Sequence, residues 1–163
     1  MAAKIVKLNT EDLPSLRLIG KRCLCDPKDF IATWDEWLKN GWFDQLEKLG
    51  RSPENRDMYL GVTDNSGCYW IGMLFPPGTP APDGFEYVEV PAARYAISQF
   101  EGKKDKELLS EDGINLVIKE VHKHGLTPAP LWGGWCIERY SRPLTPGGKG
   151  KILIDCLYEI RGE

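Results

Sequence analysis

A chain of 163 residues fits one domain, or two tightly fused halves, with a core of its own, and 42% hydrophobic with 28% charged residues is ordinary for a globular soluble protein. The formal charge of -3 speaks against a protein built to neutralise phosphates, so nucleic acid is not expected as a direct partner. The opening MAAKIVKLNTEDLP is too polar for a signal peptide and no apolar run reaches membrane-spanning length, which points to the cytoplasm and away from membranes.

After Pro14, SLRLIGKRCL reads as a strand that ends at CDPKD, where Asp26 can cap a helix with Pro27 at its first position and Asp29 near the positive end of its dipole. In FIATWDEWLKNGWFDQLEKLG the residues Phe30, Trp34, Trp37, Leu38, Trp42, Leu46 and Leu49 recur every three or four positions, predicting one amphipathic helix. Gly41 is placed to kink it and Gly50 to end it. Two strands follow, MYLGVTD and CYWIGMLF, joined by the turn signal NSG.

The loop PPGTPAPDG leads through a short strand FEYVEV to Pro91, and the same series begins again. ARYAISQF is a strand, and Ser110 can cap a second helix. Its stripe is Ile114, Val117, Ile118 and Val121, and it stops at Gly125. WCIERY and KILIDCLYEI then form a hairpin across SRPLTPGGKG. The expectation is a single α+β domain over residues 1–163. Two strand-helix-strand-strand modules, about 12–84 and 85–161, form a pseudo-twofold curved antiparallel sheet with two helices on one face and a ligand cleft on the other.

Glu138 stands out, because an unpaired carboxylate inside a strand of the apolar character of WCIERY costs several kcal/mol to bury. Side chains alternate, so Cys136, Glu138 and Tyr140 share one face and Trp135, Ile137 and Arg139 the other. The apolar pair Trp135 and Ile137 is expected against the helix, which turns Glu138 and Tyr140 into the uncovered cleft. By the same logic Met58, Leu60 and Val62 face the helix and Tyr59 and Gly61 the cleft. In the last strand Ile152, Ile154 and Cys156 face the helix and Leu153, Asp155 and Leu157 the cleft. Trp70, Phe75, Tyr95 and Trp132 are further candidate ligand contacts; six tryptophans and six tyrosines exceed what so short a core requires. A carboxylate ringed by π faces suits a planar or bulky cation. Spacing alone equally allows Glu138 to pair with Arg139, Arg142 or Arg94, or to lie in solvent.

Other features carry less. His122 and His124 lie on different sides of a helix and make a poor metal pair, PGGKGK lacks the Walker spacing and reads as a turn, and EGKKDKELLSED reads as a solvated loop. The five cysteines (Cys23, Cys25, Cys68, Cys136, Cys156) contain no CxxC pair and suit buried thiols in a reducing compartment. No metal or cofactor is expected.

The duplicated plan, the segment YVEVPAARYAISQFEGK and the strand CIERY together resemble the GyrI-like small-molecule-binding domain, the effector-binding domain of AraC-type and multidrug-sensing transcription activators. The resemblance spans about residues 12 to 161. It implies a central cleft in which Glu138 engages cationic, aromatic or lipophilic compounds, with Tyr95 and Tyr140 at aromatic positions. Full-length regulators add a helix-turn-helix domain for which this chain has no room, so a stand-alone binder is expected. TWDEWLKNGWF and LWGGWCIERY are also similar to stand-alone relatives that hydrolyse cyclopropane-bearing DNA-alkylating natural products. There Glu138 would be base or water-positioner and Tyr95 or Tyr140 the donor. The gyrase-inhibiting relatives imply a third role, protein binding, with the partner unknown.

Overall fold

The computed structural model describes residues 3–23, 30–50, 52–56, 58–104, 111–130, 133–145 and 149–161. Through them run β1 (Ala3–Leu13), β2 (Leu16–Arg22), α1 (Phe30–Lys39), α2 (Trp42–Glu47), β3 (Tyr59–Thr63), β4 (Tyr69–Phe75), β5 (Glu86–Val90), β6 (Ala93–Lys104), α3 (Glu111–Lys123), β7 (Thr127–Pro128), β8 (Cys136–Tyr140) and β9 (Lys149–Arg161). Every strand pair is antiparallel, and the fold is α+β as the sequence implies. Strand order is β1-β6-β9-β8-β3-β4-β2-β5, with β7 attached to β9. The trios β2-β4-β3 and β6-β9-β8 each place their third strand between the first and second, and they join where β3 pairs with β8.

Several elements differ from the sequence reading, among them the short strand β7. Strand β1 is additional; its polar run AKIVKLNTEDL lacks an apolar stripe and suits the edge position it occupies. The long helix is two helices, because Gly41 sits in the left-handed region at φ 65° and ends the hydrogen-bond ladder between α1 and α2. The expected caps Asp26 and Ser110 lie outside the described residues.

The sheet is curled. β1 borders one end of it and β2 lies next to the other end, yet only Pro14 and Ser15 separate them. Three residue steps reach at most about 10 Å, so the two ends must approach each other. One core, with Trp34, Trp37, Phe43, Leu46, Val117 and Val121, packs the helices onto the sheet; a second, with Leu13, Leu16, Leu60, Trp70, Tyr95 and Ile137, fills the inside of the curl. The face opposite the helices is therefore a core, not the bare surface expected from two flat modules.

Cys23, Cys136 and Cys156 are free thiols, whereas Cys68 is disulfide-bonded, which corrects the all-thiol reading at that residue. A bridge needs proximity in space, and spacing along the chain does not reveal that. Cys25 lies outside the described residues. No helix among the described residues is long and apolar enough to cross a membrane.

Gly20 and Gly72 face each other across β2 and β4, where a Cβ on Gly20 would come within 2.1 Å of the Ile71 carbonyl oxygen. Backbone cannot swing aside as a side-chain tip can. Gly20→Ala should lower stability by about 1–3 kcal/mol. Urea denaturation should show a reduced midpoint; an unchanged one would mean the strands have room that this geometry denies them.

Candidate functional site

Alternation along β8 groups Cys136, Glu138 and Tyr140 as expected, but this group faces the helices. Cys136 and Tyr140 belong to the helix-covered core, and Trp135 and Ile137 fill the curl. All five residues of β8 are buried, so the hydrophobicity of one face could not tell which of them meets a helix. The same reversal holds on β3: Leu60 and Val62 lie inside the curl, while Tyr59 packs against the helix-side core. On β9 the expectation holds for Ile152, Ile154 and Cys156, which take the helix side. Register places Glu138 opposite Gly61 on one side and Cys156 on the other.

Glu138 is 7% exposed, and its Oε2 accepts a 2.9 Å hydrogen bond from the Tyr140 hydroxyl. The Tyr140 ring meets Trp34 of α1 edge-on at 5.1 Å, and the Trp34 indole N–H donates to the Tyr69 hydroxyl at 3.0 Å. That hydroxyl occupies the space above Gly61, where a Cβ would lie 2.2 Å from it. Any larger residue opposite Glu138 would displace Tyr69. A carboxylate, two phenols and an indole are thus gathered under α1.

None of the arginines proposed from spacing neutralises this carboxylate. Arg139 points into the curl, where it pairs with Asp155 at 2.9 Å and donates to the Glu54 carbonyl at 2.8 Å. Arg94 lies 3.8 Å from Asp12, and Arg142 donates to the Pro143 carbonyl. Among the described residues no cation pairs with Glu138. Burial pushes its pKa from 4.5 up to about 7, and the Tyr140 hydrogen bond only partly opposes this. Burial, reinforced by the Glu138 charge, holds the Tyr69 and Tyr140 hydroxyls well above the usual phenol range, so both remain protonated donors. Beside them the Cys136 and Cys156 sulfurs are 3.7 Å apart, and that contact together with burial raises the Cys156 thiol.

Rings continue outward from Glu138. Trp34 lies 5.7 Å from Phe43, and Phe43 lies 4.8 Å from Trp37 and 4.9 Å from Tyr59. Tyr59 packs against the core that holds Tyr140, and Phe75 is a member of that core. Trp70, Tyr95 and Asp155 do not join Glu138. Trp70 donates its indole N–H to Asp64, Tyr95 is buried inside the curl with a hydroxyl that has no hydrogen-bond partner among the described residues, and Asp155 holds Arg139. Of the three residues named for hydrolysis, Glu138 and Tyr140 are together and Tyr95 is on the opposite face. Trp132 lies outside the described residues. Trp34 and Tyr69 are members that sequence reasoning missed. Trp34 looked like one position of a helix stripe, and Tyr69 sits in CYWIGMLF, which is buried on both faces and gives parity nothing to sort. Among the described residues no group of three or more His, Cys, Asp or Glu is arranged to hold a metal.

Neither protein-family models nor curated proteins match this chain by sequence. Solved structures match it in fold. SAV2435 bound to tetraphenylphosphonium has a TM-score of 0.64 at 14% identity, covering 96% of this chain and 95% of that one. A protein of Staphylococcus aureus MU50 assigned to bacterial transcription regulation has a TM-score of 0.57 at 14% identity, covering 96% of this chain and 99% of that one. EcmrR in its DNA complex has a TM-score of 0.62 at 9% identity over 96% of this chain and 58% of the EcmrR chain. At these identities the likeness is one of fold; among these relatives, SAV2435 binds a lipophilic cation.

The raised carboxyl fixes a pH dependence. Between pH 4.5 and about 7 the folded protein keeps a proton that the unfolded chain has released, so this contribution to stability is full below 4.5 and is lost as pH rises through 7. Relative to Glu138→Gln, the unmodified protein should lose about 3 kcal/mol across that window. Urea midpoints measured from pH 4.5 to 8 check this, and parallel curves for the two proteins would rule out a raised carboxyl.

Proposed function

We propose that this chain is a GyrI-like small-molecule-binding domain. In this reading two copies of one strand-helix-strand-strand module meet at the β3–β8 pair, and lipophilic, planar cations bind against Glu138. The observation that carries the reading is a carboxylate with 7% exposure, bonded to Tyr140, whose ring meets Trp34 edge-on, and for which no described residue supplies positive charge. A bulky organic cation supplies what is missing. Its charge replaces the proton that burial otherwise keeps on the carboxyl, and its apolar surface replaces the rings it displaces.

Magnitudes favour a cation over a neutral aromatic. Both gain stacking, but only the cation gains the Coulomb attraction, about 4 kcal/mol at 4 Å and an effective dielectric of about 20, less the cost of ionising a carboxyl held near neutrality. Tetraphenylphosphonium, which the fold relative SAV2435 binds, has this chemistry. The proposed contacts are Glu138, Tyr140, Tyr69 and Trp34, with Tyr59 on the same side of the sheet. Because Trp34 is fully buried over Tyr140, a ligand of this size has to displace α1 side chains to reach the carboxylate.

Quenching of tryptophan fluorescence by tetraphenylphosphonium tests the reading. At pH 8 Glu138→Gln should weaken binding by about a hundredfold, and Tyr140→Phe by a smaller factor. In the unmodified protein affinity should rise from pH 6 to 8 as the carboxyl ionises, and in Glu138→Gln it should stay flat. Equal affinities in the two proteins at pH 8 would remove Glu138 from the site.

A further inference from the structure

A second cation position lies at the outer end of the ring series. Lys21 of β2 extends its ammonium over two rings, with Nζ 4.1 Å from the Trp42 centroid and 4.9 Å from that of Phe85. Trp37, only 1% exposed, stands behind both; it is edge-on to Trp42 at 5.5 Å and tilted to Phe85 at 6.1 Å. The consecutive helices α1 and α2 and the distant turn before β5 therefore build a box whose back wall is fixed in the core. The ammonium donates to the Gly84 carbonyl at 2.7 Å, and among the described residues no carboxylate pairs with it.

A lysine usually keeps its head in water, because an ammonium is strongly hydrated. Here the ammonium, at a solvent-exposed position, lies over two ring faces, and among the described residues the Gly84 carbonyl is its hydrogen-bond partner. Half-buried Trp42 and Phe85 leave the box open to solvent on one side. Rings with no anion behind them favour a cation of low hydration cost, which methylation of the nitrogen provides.

We propose that the Trp37, Trp42 and Phe85 box is a cation-binding site separate from Glu138, that Lys21 fills it as an internal stand-in, and that a methylated alkylammonium takes its place. The two sites are distinct positions, since Phe43 and Trp34 stand between Trp37 and Tyr140. A tethered occupant acts at roughly millimolar effective concentration, so it competes with any free ligand. Removing the tethered ammonium should therefore expose a higher intrinsic affinity.

The test is a titration with tetramethylammonium followed by the indole N–H resonances of Trp37 and Trp42. Lys21→Ala should bind at least about tenfold more tightly than the unmodified protein, and adding Trp42→Leu should reverse that gain. In the unmodified protein the Lys21 side-chain protons, shifted by the ring currents, should move toward ordinary lysine positions as the probe saturates. This readout needs no variant to fold. Binding should persist in Glu138→Gln; its loss there would mean that the probe reports the inner carboxylate and would overturn the outer site. Equal affinity with and without Lys21, or Lys21 protons that do not move, would overturn it as well.

Discussion

A buried carboxylate with a hydroxyl for a partner and no cation is the constraint around which this molecule is arranged. An isolated charge of this kind is not tolerated at full strength in a protein interior. Two adjustments keep it there: the carboxyl holds its proton to about pH 7, and the Tyr140 hydroxyl donates to it whenever it ionises. The first leaves the site neutral, and the second leaves an ionised carboxylate with no counter-charge. The buried rings of Tyr140, Trp34 and Tyr69 nearby keep water from the site, and Tyr140 is the ring that gives the carboxylate a donor.

Strand geometry explains why the neighbouring arginine does not fill the gap. Glu138 and Arg139 are adjacent, and adjacent residues of a strand point to opposite faces. Arg139 enters the inner core, where Asp155 lies directly across the β8–β9 pair and takes its charge, with Gln99 bonding the other oxygen of that carboxylate. The two faces of one strand thus carry opposite solutions, a closed ion pair on one side and an open carboxylate on the other. A flat sheet could not do this. Only because the ends of the sheet curl together is the face away from the helices dry enough to need its own paired charge.

The same curl separates what the sequence made legible from what it did not. Alternation correctly grouped Glu138 with Tyr140 and with Tyr59 and Gly61, and helix periodicity found Trp34 and Trp37, because each depends on local geometry alone. Which group met the helices was misjudged. Trp135 and Ile137 look like a helix-facing pair when one face is assumed wet, and in this fold both faces are buried. Tyr95, Trp70 and Asp155 lie away from the helices, so it is the turn of Glu138 and Tyr140 to the helix side that separates them. The edge strand β1 went unseen because its run AKIVKLNTEDL is largely polar and keeps no sustained alternation. Gly61 is the exception, for its lack of a side chain opposite Glu138 is a local trace of the Tyr69 hydroxyl that occupies the space.

Three charges show one organising rule. Arg139 receives a carboxylate, Lys21 receives rings, and Glu138 receives a hydroxyl. Only the first arrangement is electrically closed. An ammonium on aromatic faces can be exchanged for another cation at the cost of one carbonyl hydrogen bond, and a protonated carboxyl can exchange its proton for a cation at the cost of the pKa shift that burial imposes. A structural ion pair offers no such exchange, because removing either partner strands the other in the core. Ring contacts run without a break from Trp42 beneath Lys21 through Trp37, Phe43 and Trp34 to Tyr140, and the inner members of that series are buried. The closed pair sits on the far side of the sheet, where it ties β8 to β9.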